Sequence, residues 1–78
     1  MIDVTVSIKG NDKYVAAMVK ALSFETAPNL MARSASVKGS RMDSNGHFVL
    51  HMADESHHDK FVAALAKYLP DSVTVISS

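Results

Sequence analysis

The sequence predicts an α+β domain: a two-layer sandwich in which an antiparallel sheet carries two helices on one face. Three observations point there. Ile2, Val4, Val6 and Ile8 alternate with Asp3, Thr5, Ser7 and Lys9, the period of a half-buried strand. Residues 12–22 and 59–69 are near copies, identical at seven of eleven positions, and both carry apolar residues at helical spacing. A β-type run precedes and follows each copy. The order is β-α-β-β-α with a final strand, and a competing order lacks that strand. The repeat is read equally well as duplication or as convergence, because amphipathic helices draw on few residue types.

Gly10-Asn11 ends the first strand, and Asn11 or Asp12 can cap the helix that follows by accepting its free N–H groups. That helix spans about 12–24, with Tyr14, Met18, Leu22, Val15 and Val19 on one broad arc and Lys13 and Lys20 opposite. Pro28 stops it, and 26–29 is a connection. Residues 31–39 read as a weaker strand with Met31, Arg33, Ala35 and Val37 in one phase. Asp43-Ser44-Asn45-Gly46 is the clearest turn, a tight hairpin signal. In the strand over 47–52, Phe48, Leu50 and Met52 oppose His47, Val49 and His51. Ser56 and Asp59 resemble a capping box at the start of the second helix. Phe61, Leu65, Tyr68, Val62 and Leu69 form its apolar arc. Pro70 ends it, and the β-branched run 72–77 is the last strand.

Seventy-eight residues make a single domain, 1–78, near the lower size limit for a self-sufficient core. Cysteine is absent, which excludes disulfides, thiolate zinc sites and thiol catalysis. Small secreted domains usually need such staples, so a cytoplasmic location is expected. There is no signal-peptide pattern and no apolar run long enough to span a membrane. Lys plus Arg and Asp plus Glu are eight each, a balance poorly suited to stand-alone nucleic-acid binding.

No motif marks an enzyme. A nucleophile elbow and a Gly-rich phosphate loop are both missing. The β-α-β-β-α-β order is shared with acylphosphatases, but their Arg-bearing Gly-x-Val-Gln-Gly loop does not occur here. His47, His51, His57 and His58, with Asp54 nearby, could be imagined as zinc ligands. Adjacent His57 and His58 diverge by about 100° on a helix, and the spacing matches no zinc signature. No metal and no cofactor are expected. The sheet face away from the helices, with Thr5, Ser7, Lys9, Ser34, Lys38, His47 and His51, lacks the aromatics on which RNA bases stack.

The helices carry the stronger signal. Residues 14–24 and 61–69 are apolar except for Lys20, Ser23 and Lys67. A helix apolar around most of its circumference is usually buried on more than one side. A second, partner-facing surface is therefore expected over Ala16, Ala17, Val19, Ala21, Ala63, Ala66 and Lys67. Exposed strand edges and a small core point also to self-association.

Residues 21–69 resemble the small dimerisation subunit of the KEOPS complex, the LAGE/CTAG-related family. The resemblance is carried by Ala21-Leu22 with Glu25, and by Arg33-Ser34 entering the second strand. Further points are Phe48-x-Leu50-x-Met52-Ala53-x-Glu55 and the helix end Lys67-Tyr68-Leu69. Pro70 shortens the second helix relative to that family, as in a diverged paralogue. The resemblance implies a non-catalytic subunit in a complex that adds a threonylcarbamoyl group to a tRNA adenosine. A separate ATP- and metal-binding subunit performs the transfer. The small subunit would pair with itself or a paralogue, pack its helices on that catalytic subunit, and meet tRNA only indirectly. Lys9, Arg33, Lys38 and Arg41 are the candidates for RNA contact. A stand-alone ferredoxin-like dimer that binds a small molecule or metal is the alternative.

Overall fold

The computed structural model describes residues 2–37 and 41–77. The chain forms β1 (Ile2–Ile8), a 3-10 turn (Lys9–Asn11), α1 (Lys13–Glu25), α2 (Leu30–Val37), β2 (His47–Met52), α3 (Glu55–Tyr68) and β3 (Val73–Ser77). The sheet is antiparallel with order β2-β1-β3, so the first strand lies at the centre. Its alternation does what period 2 requires. Val4, Val6 and Ile8 are buried beside Phe48, Leu50 and Met52 of β2 and Val73 of β3, and the same cluster takes in Val15, Ala16 and Val19 of α1 and Phe61 and Leu65 of α3. On the opposite face Asp3 pairs with His51, Thr5 with Val49 and Ser7 with His47.

The strand expected over 31–39 is a helix through residue 37; residues 38 and 39 lie outside the described residues. Two local causes are visible. The Asn29 side chain accepts from the Ala32 N–H at 2.8 Å, and the Arg33 N–H donates to the Asn29 carbonyl at 3.0 Å. Asn29 thus caps a run whose alanines suit a helix better than a strand. The order is therefore β-α-α-β-α-β. Arg33-Ser34, placed by the resemblance at a strand entry, sit inside α2.

The turn at 43–46 is present, but among the described residues no strand leads directly into it to complete a hairpin with β2. It packs instead on the end of β1: the Ile8 N–H donates to the Gly46 carbonyl at 2.8 Å, and Asn11 Nδ2 to the Ser44 carbonyl at 2.8 Å. Asp12 caps α1 as expected, accepting from the N–H groups of Tyr14 and Val15. The cap of α3 is Asp54, not Ser56: its carboxylate accepts from the His57 N–H at 2.8 Å. The final strand is formed.

α1 is rotated from its expected arc, whereas the arc of α3 holds at every residue but one. In α1 the buried residues are Val15, Ala16, Val19 and Ser23, while Tyr14 is 84% and Met18 45% exposed. In α3 and at its C-cap the arc residues Phe61, Leu65 and Leu69 are buried and Val62 is half-buried; Tyr68 is 60% exposed, and His57 is buried in addition. A helix apolar nearly all round does not dictate its own phase. Packing turns the small Ala16 and Ser23 inward, where they permit close approach, and leaves bulky Tyr14 and Met18 outside.

Candidate functional site: two concavities flanking α1

The rotation of α1 gives its two flanks different chemistry. Tyr14, Met18, Ala21 and Leu22 recur at spacings of three and four and so share one flank. Across from them is the end of α3. Met18, Ala21, Leu22, Tyr68 and Leu69 line a groove of about 360 Å³. Nothing in its lining is charged. Lys67 Nζ lies 5.1 Å from the centre of the Tyr68 ring.

Lys13, Ala16, Ala17 and Lys20 lie on the other flank. With Arg41, Met42 and Phe48 they line a second cavity, of about 300 Å³. Here the floor is apolar and the rim is cationic. Lys20 Nζ lies 5.9 Å from the centre of the Phe48 ring, within cation–π range.

The residues expected on one partner-facing surface are divided among several places. Ala16 and Val19 belong to the chain's own core. Ala21 lines the apolar groove, Ala17 the basic cavity, and Ala66 a third hollow between α3 and β3. Ala63 and Lys67 are exposed on α3.

The four candidate RNA contacts are likewise spread. Lys9 is exposed in the 3-10 turn, where its N–H donates to the Ser72 carbonyl at 2.9 Å. The Arg33 guanidinium lies over the Phe24 ring at 5.3 Å. Arg41 is at the basic cavity, and Lys38 lies outside the described residues.

The histidines do not converge. His51 Nδ1 contacts Asp3 Oδ1 at 2.6 Å on the open sheet face, and His58 Nδ1 contacts Asp59 Oδ1 at 2.9 Å. His57 is buried, holding the Ser23 carbonyl through Nε2 and the Ala53 N–H through Nδ1. Among the described residues no three His, Asp or Glu side chains are placed to hold a metal ion. Sequence reasoning missed the structural role of His57 and the grouping of Lys13 and Lys20 with Arg41. The i, i+7 spacing of the two lysines was visible; the arrival of Arg41 beside them depends on tertiary folding.

The sequence matches no family model, and no curated protein and no solved structure matches it. Among the described residues no helix is long and apolar enough to cross a membrane.

Proposed function

We propose that this chain is a non-catalytic subunit that self-associates and docks through the α1–α3 groove on a helix of a catalytic partner. The observation that supports docking is the exposure of Met18 and Tyr68 in the uncharged groove, with exposed Tyr14 on the same flank of α1. Large apolar side chains left out of the core of so small a domain need a second surface to leave water. Ala21 leaves room for a partner helix to approach closely. A two-layer arrangement, with the sheet on one side and the helices on the other, is supported by the burial of one sheet face with α1 and α3. It would present both helices to the partner. Self-association would use a sheet edge, β2 or β3.

The resemblance to the KEOPS small subunit supplies the specific form of this reading. The partner is then the ATP-binding subunit of a tRNA threonylcarbamoylation complex. That part rests on the sequence resemblance alone, and α2 stands where the family order has a strand.

Two measurements test the two parts separately. Met18→Glu and Tyr68→Glu should leave the fold intact, because both positions are exposed, and should abolish binding of the purified ATP-binding subunit. Unchanged affinity would reject the groove as the docking site. Deleting the chain's gene should remove threonylcarbamoyl-adenosine from tRNA, read by nucleoside mass spectrometry. Undiminished modification would reject the complex assigned.

A stand-alone dimer that binds a small molecule is the second reading, and the basic cavity on the other flank of α1 favours it.

A further inference from the structure

Of the eight Lys and Arg residues in this neutral chain, three converge on one small cavity: Lys13, Lys20 and Arg41. No carboxylate lines it. The nearest acids in sequence are engaged elsewhere. Asp12 accepts from the N–H groups of Tyr14 and Val15, and Asp43 from those of Asn45 and His47. Among the described residues the ion pairs are Asp3–His51 and Asp59–His58, so neither involves these three cations. Like charges brought together without a counter-ion repel, and a cavity concentrates their field.

We propose that this cavity binds a small phosphate monoester carrying a compact apolar substituent. The charge argues for phosphate over a carboxylate. Three cations match a dianion better than a monoanion. A guanidinium offers a paired fork to two phosphate oxygens, and two ammonium groups act as point charges beside it. Lys20 lines the cavity with its Nζ 5.9 Å from the Phe48 ring centre. Lys13 opens α1, so its end of the cavity also lies at the positive end of the helix dipole.

The floor argues for the apolar substituent. Its accessible apolar surface is that of Ala17 and Met42, with Ala16 and Phe48 nearly closed to solvent beneath them. About 300 Å³ is at the small end of ligand pockets, room for one ring or a short acyl chain. A nucleic acid fits less well. Phe48 is only 2% exposed, so its face is not available for a base to stack on. This site is separate from the docking groove, and either can fail without the other.

The test is a titration of the full chain followed by amide chemical shifts, with phenyl phosphate, inorganic phosphate, benzoate and a short single-stranded RNA as probes. Phenyl phosphate should shift amides of residues 13–20 and 41–42 saturably, and should bind more tightly than inorganic phosphate or benzoate. Lys20→Gln and Arg41→Gln should each weaken it by about tenfold, as expected for loss of one charge-assisted contact. The rest of the spectrum should be unchanged. Lys60→Gln, a substitution on α3, should have no effect.

Three results would overturn the proposal. One is the absence of saturable shifts. Another is equal weakening by Lys60→Gln, which marks diffuse charge attraction. The third is saturable RNA binding at these amides without phenyl phosphate binding.

Discussion

His57 on α3 donates from Nε2 to the carbonyl of Ser23 on α1, at 2.9 Å and across 34 residues of chain. Its other nitrogen, Nδ1, accepts from the Ala53 N–H at 3.0 Å. A carbonyl can only accept and a backbone N–H only donate, so these partners select the neutral tautomer protonated at Nε2. The ring is 1% exposed. It joins the start of α3 to the last turns of α1. His57→Ala should leave both backbone groups short of a partner and open a cavity, costing roughly 2–4 kcal/mol in urea denaturation. His57→Gln, able to donate and accept in the same two directions, should lose less. Equal loss in the two variants would mean that ring packing, not the paired hydrogen bonds, carries the effect.

Gly46 is required for two reasons that act together. Its φ is +77°, in the left-handed region. An added Cβ would also stand 2.5 Å from Asn11 Oδ1 and 2.8 Å from the Ile8 carbonyl oxygen. The second contact is backbone and cannot swing away. Gly46→Ala should cost about 1–3 kcal/mol. Gly10, with φ +68° and nothing within 4 Å of an added Cβ, carries the conformational penalty without the clash. Gly10→Ala should therefore be the milder change, and the reverse ranking of melting temperatures would contradict the packing at the turn.

Asp43 makes the same turn sensitive to acid. Its carboxylate accepts from the His47 N–H at 2.9 Å and the Asn45 N–H at 2.8 Å. The bond from His47 is the largest influence holding its pKa below the ordinary 3.8, and it acts with the Asn45 bond against the desolvation that raises it. The folded pKa thus lies below the unfolded one. Between the two values the unfolded chain binds more protons, so the contribution is present above about pH 4 and is lost as pH falls through the folded value. The stability difference between the natural chain and Asp43→Ala should be full near neutral pH and shrink through this acid range. A difference that stays constant in acid would show that the carboxylate charge has no part in it.

The exposure of Tyr68 predicts a contrast between two aromatics of α3. Phe61 is fully buried and Tyr68 is 60% exposed. Phe61→Ala should cost about 3–5 kcal/mol. Tyr68→Ala should fall within about 0.5 kcal/mol in the isolated chain. Comparable losses at both positions would place Tyr68 in the core and close the groove on which docking depends.

Much of this fold was legible in the residues themselves. Strict alternation in 2–8, the Asn45-Gly46 turn signal, Asp12 before a helical repeat and the β-branched tail all lie within short windows. Local geometry is decided there by sterics and nearby hydrogen bonds. Residues 31–37 were misread because alternating apolar positions in an Ala- and Ser-rich stretch fit either period, and Asn29 as a cap decides it.

What the sequence by itself determined is a small α+β domain with a half-buried first strand, two related helices and no thiol chemistry. What only tertiary structure decided is orientation. Helices apolar on nearly every side carry no instruction about which side faces inward. Competition for close packing made that choice, taking Ala16 and Ser23 inside and leaving Tyr14 exposed and Met18 and Tyr68 at the groove. The same choice put Lys13 and Lys20 beside Arg41, more than twenty residues further on. Sequence spacing is one-dimensional, and a cavity assembled from three segments exists only once the chain has packed.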